Sequence, residues 1–355
     1  MSSQREAASV AAPAAQPASA AARPAGALPA ALARLPRGRW VLAVSGGRDS
    51  MALLHAMAET RADEIALVAT FDHGTGAAAR DACTLVMREA AAHGLDATRE
   101  VMSPAEGRGE ERWRAARWRF LARCAHAHAA AVLTAHTRDD QLETVVMRLL
   151  RNAGPRGLAG MAATTPAPAR SRVWARSGTG APTIVRPLLH VSRAEVAAYV
   201  RAHRVPFVED PSNASMHFQR NRVRHELLPA FEAAHPGFGD WCLDLAARAA
   251  AWRQSVDALA AQLCESPDAA RRSSSAGVVV LDAGAVASLR EAEWQVLWPA
   301  LAARAGITMD RRGLARASTW APRAAVGAHI PLSGDARIER TASTFVIRQG
   351  RADSA

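Results

Sequence analysis

The sequence WVLAVSGGRDS occupies residues 40–50 and joins a short apolar run directly to a turn with two glycines. The run at 40–44 has the length and composition of a buried strand, and a helical apolar pattern follows at 51–57. Glycine lets backbone N–H groups approach an anion closely, and a helix N-terminus carries partial positive charge. The junction therefore predicts an anion site. Its binding residues would be Ser45, Gly46, Gly47, Arg48, Asp49 and Ser50.

The same alternation of short apolar runs and longer amphipathic stretches continues along the chain. Further strands are predicted at 65–71, 97–102 and 130–136, and further helices at 78–93, 110–128 and 139–151. Strands and helices that alternate at this spacing predict βαβ units and an α/β fold with a parallel, Rossmann-like sheet. Ligands of such sheets bind at the carboxyl ends of the strands. The glycine turn is expected at that edge.

A chain of 355 residues predicts about two domains. We assign 1–35 to a disordered Ala/Pro-rich extension and 36–235 to the α/β catalytic domain. The turn HPGFG marks the boundary, and 236–355 would form a smaller, mainly helical α+β accessory domain. The stretch 152–183 is predicted to be a loop. The accessory domain is predicted to contain a helix at 240–264 and two short strands within 336–348.

All 44 basic residues are arginine, and with 33 acidic residues they give a formal charge of +11. The lack of lysine excludes a Walker-type phosphate loop and any lysine Schiff base. Residues 41–160 contain 15 arginines and 15 acids, whereas residues 161–235 contain ten arginines and five acids. This local surplus favours a polyanionic partner.

The four cysteines form no C-x-x-C pair, which disfavours both a disulfide framework and a zinc site. Reduced thiols of this kind are typical of a cytoplasmic protein. No apolar run approaches the roughly 18 residues that a membrane-spanning helix needs. The composition therefore predicts a cytoplasmic protein without a membrane span.

Asp49 is unexpected in a turn that only binds anions, but a carboxylate beside phosphates is suited to hold Mg²⁺. The SGG-x-DS turn resembles the PP-motif of the N-type ATP pyrophosphatases. Members of that superfamily cleave ATP to AMP and pyrophosphate and activate a carbonyl oxygen as an adenylate. The resemblance implies that ATP binds on residues 45–50 with Mg²⁺ as the metal cofactor.

Five further stretches narrow the resemblance to one family. They are DHG at 72–74, RWRFL at 117–121, TAHTRDDQLE at 134–143, RPLL at 186–189, and EDPSN at 209–213 followed by RNRVR at 220–224. In this order and spacing, residues 40–235 are similar to the tRNA(Ile)-lysidine synthases. The last pattern is not general in the superfamily, so the likeness is specific. The chain departs from the family at Thr75, Gly76 and Thr137.

The resemblance implies roles for individual residues. Asp49 and Asp140 would hold Mg²⁺ at the ATP site, and Asp140 with Glu143 would receive the ammonium group of lysine. His136 and Arg117 would complete the catalytic set, with Arg117 neutralising charge on the phosphates. The tRNA contacts would be Arg220, Asn221, Arg222 and Arg224.

Each of these assignments has a plainer structural alternative. Acids such as Asp139 and Asp140 also suit the first turn of any helix. His136 could be a structural histidine, Arg117 could lie on a solvated helix face, and the arginines of 220–224 could pack a helix end on the ATP site. GTGAAA at 74–79 imitates a dinucleotide fingerprint, but it follows the second predicted strand, so we interpret it as a decoy.

The implied activity is a ligase that forms a C–N bond. ATP would adenylate the C2 oxygen of the wobble cytidine, position 34, in tRNA(Ile) with a CAU anticodon. Free L-lysine would then displace AMP to give lysidine, which changes codon reading from AUG to AUA. A homodimer is compatible with the resemblance. The alternatives are a tRNA 2-thiolase of the same superfamily, a non-catalytic RNA-binding protein and, less directly, a nicotinamide oxidoreductase.

Overall fold

The computed structural model describes residues 26–74, 76–103, 109–166, 182–209, 219–264 and 277–349. These residues form two sheets, each with its own hydrophobic core. No helix in these ranges combines the length and the apolar character needed to cross a membrane.

The first sheet has six strands in the order β3-β2-β1-β4-β6-β5. They are β1 Trp40–Ala43, β2 Ile65–Asp72, β3 Ala97–Val101, β4 Ala131–Thr134, β5 Thr164–Pro166 and β6 Thr183–Val185. All neighbours run parallel except β5, which pairs antiparallel with β6. The predicted α/β fold with a parallel sheet is confirmed. Since β1 lies between β2 and β4, the turn after β1 sits at the middle of the carboxyl edge.

In the described part of the chain, nine α-helical segments accompany this sheet. They are α1 Ala27–Ala33, α2 Arg48–Arg61, α3 Ala77–Ala92, α4 Glu110–Ala127, α5 Arg138–Leu150, α6 Pro155–Leu158, α7 Arg193–His203, α8 Gln219–Arg222 and α9 Leu228–Ala234, and a π-helical turn, Val223–Leu227, joins the last two. Successive side chains of a strand point to opposite faces. Leu42 therefore packs with α2, α3 and α7, whereas Val41 packs with α4.

Helix α1 lies inside the stretch 1–35, which was predicted to be disordered, and the prediction is wrong there. Leu28 and Leu32 lie one helical turn apart and are buried in the core shared with α2 and α7. Arg61 donates a hydrogen bond to the carbonyl of Leu32 at 2.9 Å and caps the end of α1. Composition averages the two leucines with the surrounding Ala and Pro, so it misses a short helix held by tertiary packing. Residues 1–25 lie outside the described part.

The predicted loop at 152–183 is interrupted by α6 and β5, so the prediction is wrong at these two places. Both elements are short. Strand β5 forms because β6 offers it hydrogen-bond partners, and no local pattern reveals such a partner. Residues 167–181 lie outside the described part.

The second sheet has four antiparallel strands in the order β7-β10-β9-β8. Its elements are α10 Phe238–Cys264, β7 Val278–Asp282, α11 Glu291–Arg304, α12 Arg311–Trp320, β8 His329–Pro331, β9 Ala336–Arg340 and β10 Thr344–Gln349. Helix α11 brings the stacked rings of Trp294 and Trp298, with centroids 4.5 Å apart, into the second core. The predicted helix at 240–264 and the strands within 336–348 are confirmed.

Helix α10 connects the two cores. Near its start Cys242 and Ala246 pack against Val145 and Val146 of α5, and further along Val256 joins the second core. Helix α10 begins just after the predicted boundary at 235/236 and packs against residues of both predicted domains. The boundary therefore stays a prediction.

The buried carboxylate of Glu64 is predicted to stabilise the folded protein. This carboxylate accepts hydrogen bonds from Arg61 at 2.5 Å and from the indole of Trp40 at 3.1 Å. The bond from Arg61, more than the others, lowers the pKa of Glu64 to about 2. We expect Glu64→Gln to lower the free energy of unfolding at neutral pH by about 3 kcal/mol, because the buried guanidinium loses its charged partner.

The stabilisation that Glu64 provides is expected to decrease as the pH falls. Since the folded-state pKa lies below the ordinary value of 4.5, the advantage of the wild type is complete above that value and is lost as the pH falls toward 2. Urea denaturation at several pH values measures it, with the exposed neighbour Asp63→Asn as control. Equal stability of wild type and Glu64→Gln at neutral pH would contradict the prediction.

Candidate active site

A cavity of about 820 Å³ opens at the carboxyl edge of the first sheet, over β1 and β4. The residues that follow these two strands form much of its wall, and α4, the first residue of α7, residues 207–209 and the π-helical turn add to it. Four residues that were predicted from separate stretches of sequence line this one cavity: Asp49, Arg117, His136 and Asp140. The fold therefore brings the predicted catalytic set together.

The turn at 45–50 depends on glycine at one position. Gly46 has φ +82°, and a Cβ added there would lie 2.7 Å from both the Cβ and the carbonyl oxygen of Ala82. Its own carbonyl accepts the backbone N–H of Val208 at 3.0 Å. Gly47 precedes α2, and no side chain caps the amides of the first turn. These amides are placed as an anion site would require.

The two serines of the turn have different roles. Ser50 Oγ accepts the backbone N–H of Ser45 at 3.1 Å and donates to the carbonyl of Gly47 at 2.9 Å. Its single proton is therefore used inside the turn. Ser45 is exposed and its hydroxyl lies 3.1 Å from Ser50 Oγ. Of the two predicted donors, Ser45 is the one that can reach a ligand while the turn stays closed.

The acids at the start of α5 do more than cap their own helix. Thr137 N–H donates to Asp140 Oδ2 at 2.8 Å, and the Thr137 hydroxyl accepts from Asp140 N–H, which together form a capping box. Asp139 accepts the backbone N–H of Arg193 at 2.8 Å and so holds the start of α7. Asp140 Oδ2 therefore caps the start of α5, as the structural alternative expects, while Oδ1 accepts a hydrogen bond from Arg193.

Arg193 links the three acids of the site and was missed by sequence reasoning. Its guanidinium donates to Asp140 Oδ1 at 2.6 Å and to Glu143 Oε1 at 2.7 Å. Its Nε lies 3.9 Å from Asp49 Oδ2. A single arginine at the start of a helix does not form a recognisable sequence motif. The signal that could have marked it is that its helix follows β6, whose carboxyl end lies at the same sheet edge.

Glu143 differs from the prediction that it offers a free carboxylate to lysine. Its side chain is 1% exposed, and Arg193 and Arg224 each donate to Oε1 at 2.7 Å. Arg220 donates to Oε2 at 2.7 Å. Burial alone would raise the pKa of Glu143, but the bonds from Arg224 and Arg193 outweigh it and lower the pKa. In this arrangement the carboxylate is saturated, so a lysine could bind only by displacing an arginine.

Asp49 and Asp140 are close enough to sense each other's charge. Burial raises the pKa of Asp49 against the opposing effect of Arg48, and Asp140 raises it further. Burial would also raise the pKa of Asp140, but Arg193 and Arg220 outweigh it and lower the pKa. Two carboxylates on a cavity wall are the oxygen donors that Mg²⁺ prefers, and at Asp140 the metal would replace Arg193 on Oδ1. Among the described residues no group of three His, Cys, Asp or Glu side chains could hold a metal alone.

His136 is held on the cavity wall by Thr134, whose hydroxyl lies 2.8 Å from His136 Nδ1. Burial lowers the pKa of His136 to about 4, and the charges of Arg186 and Arg117 act in the same direction. The ring is therefore neutral at physiological pH, with one nitrogen that donates and one that accepts a hydrogen bond.

Arg117 lies on the cavity wall with its guanidinium carbon 5.7 Å from the ring centroid of Trp118. The alternative of a solvated helix face is therefore wrong. Burial lowers the pKa of Arg117 to about 10, with a smaller contribution from Arg114. Its Nε is buried and no described residue accepts a hydrogen bond from it. A guanidinium of this kind is suited to bind phosphate oxygens.

The residues predicted to contact tRNA do not form one surface. Arg220 and Arg224 donate to Glu143, and Asn221 is buried. These three residues pack as the structural alternative expects, and their contact with tRNA stays a prediction. Arg222 is the outward member of the set, with a side chain that is 60% exposed.

The other motif stretches fall in different places. Glu209, Phe207 and Val208 line the cavity, and the rest of EDPSN, 210–213, lies outside the described residues. Asp72 is paired with Arg99 at 2.5 Å and accepts the Gly74 N–H at 2.9 Å, so it closes a turn.

Residues 23–231, more than half of the chain, match the family of PP-loop domains. The tRNA(Ile)-lysidine synthase of Solibacter usitatus is 36% identical over 231 residues, which cover 63% of this chain and 49% of that protein. The protein of the same name from Salinispora tropica is 42% identical over 211 residues, which cover 58% and 60%. The chain spans about half the length of the curated relatives it matches.

A solved structure, the U34-tRNA thiolase NcsA from Methanococcus maripaludis with its 4Fe-4S cluster, is 14% identical to the chain. It gives a TM-score of 0.48, and the likeness covers 62% of this chain and 76% of that one.

The contact between Gly46 and Ala82 generates a prediction. Alanine at position 46 must hold a left-handed conformation, at a cost of about 1–3 kcal/mol, and must also push Ala82 away. We expect Gly46→Ala to weaken ATP binding at least about tenfold, because the amides of the turn lose their arrangement. Equilibrium dialysis with labelled ATP measures it.

Gly154→Ala is the matched control, since Gly154 has φ −70° and nothing lies within 4 Å of the added Cβ. Both variants are checked for folding by circular dichroism. Unchanged ATP affinity in a folded Gly46→Ala variant would show that the turn does not bind the nucleotide.

Proposed function

We propose that this chain, which belongs to the family of PP-loop domains, binds ATP and Mg²⁺ in its cavity and ligates free lysine to RNA. The substrate is the wobble cytidine, position 34, of tRNA(Ile) with a CAU anticodon, and the products are lysidine, AMP and pyrophosphate. The observation that carries the proposal is that Asp49, Arg117, His136 and Asp140 line one cavity with the glycine turn. The substrate is inferred from the names of the curated tRNA(Ile)-lysidine synthases, which match this chain at 36–42% identity.

The triphosphate of ATP lies on the turn at 45–50, where backbone amides and the Ser45 hydroxyl bind its oxygens. Asp49 and Asp140 would hold the Mg²⁺ ion, which would supply charge neutralisation at the phosphates. Arg117 faces the same space from α4, and no carboxylate among the described residues pairs with it. These groups position the α-phosphate for attack and need no covalent link to the nucleotide.

In the first step the C2 oxygen of cytidine forms a bond to the α-phosphorus. The bond from that phosphorus to the bridging oxygen breaks, and pyrophosphate leaves with the electron pair. Arg117 stabilises the charge that develops on this leaving group. His136 is a poor general base because its pKa is about 4, so its neutral ring orients a substrate atom by hydrogen bonding.

In the second step the ε-amine of lysine attacks C2. The C2–O bond breaks, AMP leaves with the electron pair, and the nitrogen releases its surplus proton. The adenylated oxygen makes C2 electrophilic, so the protein mainly has to hold the amine in line and exclude water.

Lysine reaches Asp140 and Glu143 when Arg220 leaves Glu143 for an RNA phosphate. Arg220 is the most exposed of the three arginines on Glu143, at 38% against 17% for Arg193 and 26% for Arg224. The exchange replaces one cation with another, so the buried carboxylate keeps its charge balance. It also makes lysine binding depend on the presence of RNA.

The chemistry of the cysteines weighs against a thiolase. The four cysteines form no disulfide, and burial raises the pKa of Cys83, of Cys124 and, to about 11, of Cys242. No cysteine is among the described residues that line the cavity. A nucleophilic or cluster-binding thiolate would need the opposite environment. A non-catalytic role is disfavoured because Asp49 and Asp140 face the cavity.

A transfer assay tests the proposed function. The protein is incubated with ATP, Mg²⁺, labelled lysine and tRNA(Ile) bearing a CAU anticodon. We expect label in the tRNA with one AMP per lysine, and a loss of at least about a hundredfold for Asp49→Asn because the metal loses a ligand.

Asp63→Asn, an exposed change outside the cavity, is the matched control and keeps full activity. Absence of label with the folded wild type would refute the ligase. Incorporation of sulfur from cysteine would favour the thiolase, and binding of NAD in place of ATP would favour an oxidoreductase.

The exchange at Glu143 can be tested separately from turnover. We expect Arg220→Ala to bind free lysine more tightly than the wild type in the absence of tRNA, by about tenfold, because Glu143 loses one competing cation. Arg222→Ala removes a neighbouring arginine that does not contact Glu143 and leaves lysine binding unchanged. Equilibrium dialysis with labelled lysine compares them. Equal binding by both variants would rule out the exchange.

A further inference from the structure

Three aromatic side chains form a ladder at the junction of α9 and α10. Phe231 and Phe238 stack with centroids 4.8 Å apart at an angle of 29°, and Trp241 continues the series at 6.0 Å and 32°. Trp241 is 52% exposed. Among the six large apolar side chains that are exposed in the described ranges, it is the only aromatic one.

The ladder stands on a rigid base. Glu232 accepts the backbone N–H of Gly237 at 2.6 Å and of Gly239 at 3.0 Å, which fixes the turn between the two helices. Phe238 packs against the apolar cluster shared by α5 and α10. The outer ring face of Trp241 is therefore presented by packed helices and not by a loose loop.

An ion pair connects the ladder to the cavity. Arg138 donates to Asp240, the residue before Trp241. Arg138 is also the first residue of α5, two positions before Asp140 on the cavity wall. The helix that carries Trp241 is thus tied to the helix that supplies Asp140 through a partly exposed guanidinium.

We infer that the exposed side chain of Trp241 is a stacking platform for an unpaired base of the RNA whose reactive base enters the cavity. The inference rests on the proposed function and deepens it. A base can react only when it leaves its stack, so a neighbouring base loses its stacking partner. An aromatic ring in line with two others replaces that partner, and stacking of this kind tolerates any base.

The surroundings of the ring favour RNA over a protein partner. Asp240 and Arg138 flank it, and both side chains are exposed. A protein interface of useful size needs a contiguous apolar centre, whereas this is one ring among charges. Arg138, which pairs with Asp240, can exchange that partner for the phosphate that adjoins the stacked base.

The test measures RNA binding by the full chain without ATP or lysine. A fluorescent hairpin with the CAU anticodon loop is titrated with wild type, Trp241→Ala and Trp241→Phe, and anisotropy is recorded. We expect Trp241→Ala to weaken binding about tenfold and Trp241→Phe to keep it within about twofold, because a smaller ring still stacks. Leu259→Ala, on the same helix and 50% exposed, is the matched control without effect.

A duplex RNA that lacks unpaired bases provides the second arm, and we expect its weaker binding to be the same for all variants. Unchanged hairpin affinity in Trp241→Ala would overturn the inference, as would an equal loss for hairpin and duplex. A change of oligomeric state in sedimentation without a change in RNA affinity would also overturn it, since the face would then join two copies. ATP binding by Trp241→Ala confirms its fold, and failure of lysine transfer by the wild type would not affect these readouts.

Discussion

The neutralisation of one buried carboxylate organises the surroundings of the cavity. Glu143 is almost fully buried on α5, and an unpaired charge there would be very costly. Its arginine partners come from the start of α7 and from the segment that begins at α8. The carboxylate thus fixes where these elements meet α5. Arg193 is thereby placed between Asp140 and Asp49, so the charge balance of the core and the geometry of the cavity depend on the same contacts.

This arrangement changes the meaning of the arginine surplus in residues 161–235. Composition suggests a surface for a polyanion, yet Arg193, Arg220 and Arg224 from that stretch neutralise acids that belong to the balanced stretch 41–160. These ion pairs between the two stretches are present before any ligand binds. A substrate cation can therefore be accommodated by exchange with an arginine, and a substrate anion by the arginine that is released. Local charge counts alone do not distinguish a binding surface from an internal ion-pair network.

Helix α10 extends this network toward the second core. Its start packs on α5 through Cys242 and Ala246, and its acidic residue Asp240 pairs with Arg138 at the first turn of that helix. The aromatic ladder is consequently anchored to the helix that supplies Asp140 and Glu143. A change in the RNA at Trp241 and a change in the cavity would act on the same rigid element, which is a physical basis for coupling base recognition to chemistry.

The sequence by itself determined the parallel sheet, the order of its helices, and the turn at 45–50, because strand and helix periodicity and the backbone freedom of Gly46 are local properties. The motifs that carry the family resemblance also predicted Asp49, Arg117, His136 and Asp140 as site residues, and these four line one cavity. Only the tertiary structure decided that α1 is ordered, that Glu143 is saturated and that Arg193 lies among the acids. These outcomes depend on contacts between residues far apart in the chain, where burial sets the cost of an unpaired charge, and no local pattern encodes such a contact.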